Sequence, residues 1–296
     1  MEVNRSGYYR YYKNQLVSKK YKDIRLLTEA RALHSQSNKS YGTRRMSKAL
    51  QAKGYNIGRY KARTLMQVAG LECKQRRKYK ITTNVNPALA AAENKLARNF
   101  LVDRPNSVWV ADITFLSTQE GWLYLAVVLD LFSRKVVGWA LAEHMEETLV
   151  HEALSMAVKE RRPSGELMHH SDRGCQYTSY NYQEFLKDNN ITVSMSRKGN
   201  CWDNAVMERF FGSLKSEWTK GKKYVTHDEA KADVIDYIER FYNNDRLHST
   251  LNYLSPNQFE KNKAIKTGQL RELKSCELFW GRKNVKEERS TRASSP

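Results

Sequence analysis

Three carboxylates stand out by position. Asp112 interrupts the apolar, β-branched and aromatic run Trp109-Val110-Ala111-Asp112-Ile113-Thr114-Phe115-Leu116, and a charge left unpaired inside a buried strand is costly. Asp172 ends a short strand in HHSDRGCQYTS, and Glu208 sits on a long helix in NCWDNAVMERFFGSLKSEW, with 35 residues between the two. Acids this far apart in the chain can converge at one end of a sheet. Clustered hard oxygen ligands suit Mg²⁺, which takes few protein carboxylates and keeps several waters. In-line displacement at a phosphodiester uses two such ions about 4 Å apart, one at the attacking oxygen and one at the leaving oxygen.

Other residues around these acids are weighed against them. Glu208, Gly212 and Lys215 share one helical face, which sets Lys215 beside the acids and within reach of a phosphate. Asn204 precedes the same helix, as an N-cap or as a DNA contact near the site. Asp130 is the rival for a place among the acids and reads as structural. His169 and His170 are adjacent and point to opposite faces of a strand, so no zinc site is expected. Tyr242, Asn243, Arg246 and His248 read as residues that hold the last helix and loop against the core.

The elements that must position these acids follow from periodicity. Val108–Leu116, Leu123–Leu129 and Val136–Leu141 are three strand-like runs with short breaks, which suggests antiparallel neighbours. An amphipathic helix over Glu146–Lys159 comes next. After it come a short strand before Asp172, a helix over Tyr182–Asn189, a strand over Ile191–Met195 and a long helix from about Asp203. Three strands followed by alternating helix and strand is the order of an α/β, ribonuclease-H-like fold: a mixed five-stranded sheet flanked by helices.

The chain has 296 residues, 40% of them hydrophobic, and a net charge of +19. That composition excludes wholesale disorder and points to a polyanionic partner. Residues 1–100 carry 23 basic and 5 acidic side chains, net +18; residues 101–220 carry 13 and 16, net −3. A basic module is thus joined to a mildly acidic one. No apolar run approaches a membrane span, and four scattered cysteines suit a reducing compartment. The expected location is cytoplasmic, with no membrane partner.

Within the basic third, Leu26, Leu27, Ala30 and Leu33 make one helical stripe. Met46, Ala49 and Leu50 make a second, and Ala62, Leu65, Met66 and Ala69 a third. Lys53-Gly54-Tyr55-Asn56 separates the last two as the tight turn of a helix-turn-helix unit. Arg59, Lys61 and Arg63 fall off the third stripe, as a groove-entering helix requires, and Arg44 and Arg45 open the second. The domain reading is 1–75 for a basic helix-turn-helix region, 76–104 for a basic linker, 105–260 for the catalytic core and 261–296 for a polar tail.

Several blocks carry a resemblance. YGTRRMSKALQAKGYNIGRYKARTLMQVAGL resembles the helix-turn-helix module of a large family of bacterial insertion-sequence transposases. WVADITFL, LDLFSRKVVGWAL, HSDRGCQYTS and CWDNAVMERFFGSLKSE resemble the successive core blocks of retroviral-integrase-like DDE transposases. They are most similar to the OrfB products of the insertion-sequence family numbered three, and YNNDRLHSTLNYLSPNQFE extends the similarity to about residue 260.

The resemblance implies an integrase-like catalytic core and a DNA transposase acting on an insertion element with terminal inverted repeats. It assigns the catalytic and metal-binding triad to Asp112, Asp172 and Glu208, holding two Mg²⁺ ions with Mn²⁺ as a substitute, and an auxiliary basic role to Lys215. The reaction implied is 3′-end nicking and strand transfer on double-stranded DNA, both element ends and target, by a homo-oligomer in the cell's nucleoid. It further implies fusion or association with an upstream-frame product carrying a helix-turn-helix and a leucine zipper. Two other readings remain: a catalytically inactive, sequence-specific DNA-binding regulator, and a ribonuclease-H-like nuclease.

Overall fold

The computed structural model of the chain describes residues 4–6, 8–9, 18–74, 92–197 and 201–265. Three helices open it: α1 (Ser18–Gln36), α2 (Thr43–Ala52) and α3 (Arg59–Val68). Leu26, Ala30 and Leu33 of α1, Met46, Ala49 and Leu50 of α2, and Ala62, Leu65 and Met66 of α3 are buried together. These are the stripes read from the spacing; Leu27 and Ala69 are only half-buried. The α2–α3 turn passes through Gly54 at φ 87°, a left-handed conformation that glycine adopts without a Cβ clash.

The core is a five-stranded sheet in the order β3-β2-β1-β4-β5. Its strands are β1 (Val108–Thr118), β2 (Gly121–Asp130), β3 (Val136–Ala142), β4 (Leu167–Ser171) and β5 (Ile191–Met195). The first three are antiparallel, and β1–β4 and β4–β5 are parallel. The parallel pairs need crossovers, supplied by α4 (Glu147–Arg161) before β4 and by α5 (Cys175–Thr178) and α6 (Tyr180–Asp188) before β5. Leu149, Val150, Ala153, Leu154 and Ala157 of α4 bury one face of the sheet together with Tyr182 and Leu186 of α6. On the other face, alternate β1 residues Val110 and Leu116 pack with Met207, Phe210, Phe211 and Leu214 of the final helical region.

That region is less uniform than a single helix from about residue 203. A 3₁₀ turn, Cys201–Asn204, leads into α7 (Ala205–Ser213), and Leu214–Thr219 continues as a π-helix. After α8 (His227–Ile235), Asp236–Asp245 is also π-wound. The two widened segments meet over aromatic rings, with Trp218 stacked on Phe241 at 5.2 Å and 5.5 Å from Tyr237. Wide turns make room for large side chains that an α-helix would crowd, at the expense of hydrogen-bond geometry.

Part of the segment read as a linker, 76–104, rests on the core. Residues 75–91 lie outside the described residues, but Leu96 is buried against the core. There the backbone N–H groups of Lys95 and Leu96 both donate to Ser194 Oγ, at 3.0 and 3.1 Å. At the other end helix continues over 256–265, five residues into the expected tail, whose remainder lies outside the described residues. Among the described residues no helix is long and apolar enough to cross a membrane.

Candidate active site

The strand register brings the first two acids together. β1 and β4 run parallel with Val110 opposite His170, so two residues further on Asp112 comes level with Asp172, where β4 has just ended. Neighbouring strands lie about 4.8 Å apart. Asp112 opposes Val127 of β2 on its other side, and its Oδ1 accepts the Ile113 N–H at 2.8 Å. Asp172 Oδ1 accepts the Gly174 N–H at 2.9 Å, and a Cβ at Gly174 would stand 3.0 Å from that oxygen. Glycine there lets the backbone fold onto the carboxylate.

Glu208 lies in the first turn of α7, where the helix dipole favours negative charge. Asn204, just before α7, donates from Nδ2 to the Ala111 carbonyl at 3.5 Å and so ties the start of the Glu208 helix to the strand of Asp112. Its Oδ1 is buried without a hydrogen-bond partner. Asn204 occupies the N-cap position, yet its side chain makes no capping bond.

The electrostatics link the same side chains. The Asp112 carboxyl is held well above its ordinary pKa, first by burial, then by Asp172 and to a lesser extent by Glu208; the Ile113 N–H and Lys215 oppose this. Burial raises Asp172 as well, against the Gly174 hydrogen bond, and burial raises Glu208. Burial pushes Lys215 down while Asp112 pulls it up, and its Nζ stands 4.9 Å from the centre of the Phe115 ring. Tyr177, buried with no partner for its hydroxyl, is raised by burial and by both aspartates.

Among the described residues no three His, Cys, Asp or Glu side chains form a ready-made metal cage. The donor set nevertheless fits a hard divalent cation. Asp112 on β1 and Asp172 just past β4 lie level, the Asp112 charge is disfavoured by both Asp172 and Glu208, and the buried Asn204 Oδ1 before α7 has no hydrogen-bond partner. Mg²⁺ needs no protein cage, only one or two carboxylates and room for water.

Other positions settle differently. Asp130 is fully buried beside the start of β1, accepting the Asn106 and Phe132 N–H groups and Arg161. His169 Nε2 pairs with the Tyr182 hydroxyl, and His170 with Ser194 and Ser196. Asn243 exchanges both hydrogen bonds with the backbone of Val136. In the helix-turn-helix module Arg44, Arg59, Lys61 and Arg63 are exposed. Arg45 is the exception: it turns inward to pair with Glu217 at 3.2 Å.

Sequence reasoning passed over Glu217, Tyr177 and the fixation of Asp203. Asp203 is gripped by Arg98, Arg197 and Asn94, which hold its carboxyl well below the ordinary range, Arg197 foremost. The available signal for Glu217 was its place between Leu214 and Trp218 on a helix face that must be buried, since an acid there needs a cation.

Comparisons with known proteins cover the same segments. An integrase core domain matches residues 102–201, a second integrase core domain residues 208–263, and an HTH-like domain residues 20–79. The chain is 43% identical to an uncharacterized 31 kDa protein of insertion element IS600 from Shigella sonnei, over 88% of this chain and 95% of that one. It is 42% identical to the transposase InsF of insertion sequence IS3A from Escherichia coli K12, over 77% of this chain and 80% of that one. A chain of the simian T-cell lymphotropic virus intasome, solved with a PP2A regulatory subunit, aligns with TM-score 0.45 and 19% identity over 72% of this chain and 70% of that one.

Proposed function

Because the chain belongs to the integrase-core transposases of IS3-type insertion elements, and is thus a DDE-type polynucleotidyl transferase for DNA transposition, we propose that Asp112, Asp172 and Glu208 are its catalytic triad. The reaction is nicking at the 3′ ends of the element and transfer of those ends to another phosphodiester. The observation that carries this reading is the β1–β4 register, which sets Asp112 level with Asp172. Asp172 and Glu208 both raise the Asp112 carboxyl, a repulsion that bound cations would relieve.

Asp112 on β1 and Asp172 just past the end of β4 would hold a divalent ion together with Glu208 of α7. Such ions, Mg²⁺ or Mn²⁺, supply Lewis-acid activation of the attacking oxygen and charge stabilisation of the leaving one. The protein's own part is positioning. Asn204 fixes α7 to β1, and Lys215 offers a cation to a phosphate of the bound strand. The nucleophiles are water and then a DNA 3′-hydroxyl, so no covalent protein–DNA intermediate forms. The exposed Arg44, Arg59, Lys61 and Arg63 contact the element ends through the helix-turn-helix module, and pairing two ends calls for a homo-oligomer.

The test incubates the protein, alone and fused to the upstream-frame product, with labelled element ends and Mg²⁺ or Mn²⁺. Strand-transfer products that disappear in Glu208→Gln, while end binding persists, are the expected result. Undiminished product in that variant overturns the assignment.

A further inference from the structure

The hairpin joining β1 to β2 carries two large, half-exposed aromatic side chains. Phe115 is 49% exposed and Trp122 52% exposed. They project from the same face of the antiparallel pair, where Phe115 lies opposite Tyr124 and Trp122 opposite Ser117. Their rings meet edge to face, with centroids 4.8 Å apart and planes at 80°, so each braces the other while keeping surface open to solvent. Exposed aromatic area of this size normally finds a partner.

The neighbourhood says which partner. Phe115 is three residues beyond Asp112 on the same strand, about 10 Å along it and on the opposite face, where β1 has already lost β4 as its neighbour. Between them stands Lys215, whose ammonium is 4.9 Å from the Phe115 ring and close enough to Asp112 to be pulled up by it. A phosphate held by Lys215 at that open strand edge therefore has Asp112 on one face of the sheet and the aromatic rings on the other, within reach of a base that has left its pair. Flat apolar faces next to a phosphate-binding cation match the recurring features of a nucleotide: backbone charge and a base π-face. A duplex end with all its bases paired and stacked has no free base face to offer, whereas an unpaired terminal base has one.

We propose that Phe115 and Trp122 form a stacking platform for an unpaired nucleobase at the DNA end whose phosphodiester lies at Asp112, Asp172 and Glu208. The proposal rests on the transposase reading of those acids and adds the state of the DNA they act on: the last base pairs are opened, and the platform holds a released base. Stacking is tolerant of base identity because every base has a π-face, so the platform favours an opened end over a closed one without reading its sequence.

The experiment uses the full chain with two synthetic duplexes of the same sequence, one fully paired and one with its last few base pairs mismatched. Both carry 2-aminopurine near the 3′ end. The wild type binds the opened end about tenfold more tightly, the size of one base–aromatic stack, and quenches the probe. Phe115→Leu and Trp122→Leu, which keep apolar bulk but lose the π-face, each reduce the preference and the quench, whereas Phe115→Tyr restores both. The salt dependence of binding is unchanged in the leucine variants, which lose no phosphate contact, and becomes shallower in Lys215→Ala. Equal affinity of the wild type for both duplexes, or leucine variants that retain preference and quench, overturns the proposal. So do leucine variants that only change sedimentation, because the patch is then a contact between copies. Asp172→Asn separates the two levels: it keeps the quench while losing strand transfer, so a failed platform and a failed triad give different results.

Discussion

Asp130 and Asp112 are both strand carboxylates surrounded by apolar neighbours, and their partners send them to different uses. Asp130 accepts the Asn106 and Phe132 N–H groups at 2.8 and 2.9 Å and lies 3.3 Å from Arg161. Burial still pushes its carboxyl up to about 6, with those donors and Arg161 opposing and Glu260 adding to the rise. A raised folded pKa means that the folded state binds the proton more tightly. Its stabilisation is complete below the ordinary carboxylate range and is lost as pH climbs through about 6. Urea unfolding of the wild type and Asp130→Asn at pH 5 and pH 7.5 is expected to show the wild type losing roughly 1.4 kcal/mol relative to the variant. A pH-independent difference would mean that Arg161 and the backbone donors already keep the carboxylate charged. Asp112 has one backbone donor, Lys215 as an opposing charge and two acids as neighbours, and its carboxyl stays raised all the same. In the sequence Asp112 stood out because a carboxylate inside an apolar strand run is costly without a partner. Tyr177 did not, because a buried phenol without a partner looks in sequence like any core tyrosine.

At the scale of elements, the site follows from one register. The parallel β1–β4 pairing ends just before the two aspartates, so the strands diverge where the acids need space. The alternation of β1 and the apolar runs of β2 and β3 made the sheet readable, and the helix–strand order fixed its parallel half. What periodicity could not give is winding within a helix. The π-wound Leu214–Thr219 depends on aromatic rings arriving from Asp236–Asp245, a tertiary contact with no local signature. The attachment of Leu96 through Ser194 was hidden for the same reason, since a single buried leucine in polar surroundings has no period. Gly138 shows how tightly elements meet behind the site: a Cβ there would stand 2.1 Å from the Ala153 carbonyl oxygen and 2.8 Å from Ala157 Cβ. Gly138→Ala must therefore push α4 off β3. It is expected to destabilise the protein by about 3 kcal/mol or more, seen as a lowered thermal midpoint; a shift within error would show that α4 slides freely.

Across the whole molecule, the basic module and the acidic core are joined through Glu217. Its carboxylate accepts Arg246 Nε and Nη2 at 2.7 and 2.8 Å and Arg45 Nη1 at 3.2 Å, while its backbone carbonyl accepts Asn38 and Lys74. Tyr41 adds a second tie, donating to the Asp245 carbonyl and accepting the Leu247 N–H. Glu217 lies two residues beyond Lys215, so the helix that carries Glu208 and Lys215 also seats the helix-turn-helix. Removing one partner of a buried pair leaves the other charge stranded, at a cost of about 3–5 kcal/mol. Arg246→Ala should therefore destabilise more than the double variant Glu217→Gln, Arg246→Met, and equal losses in urea would deny the pair that role. The same architecture divides the basic residues into two kinds. Exposed Arg59 and Lys61 are free to meet phosphates, and replacing either with alanine should lower the slope of log affinity against log salt by about 0.9. Arg45 is already committed to Glu217, so Arg45→Ala should loosen the module while leaving that slope unchanged. A drop in slope for Arg45→Ala equal to that for Arg59→Ala would show that DNA draws Arg45 out of its pairing, and that binding the element end releases the module from the core.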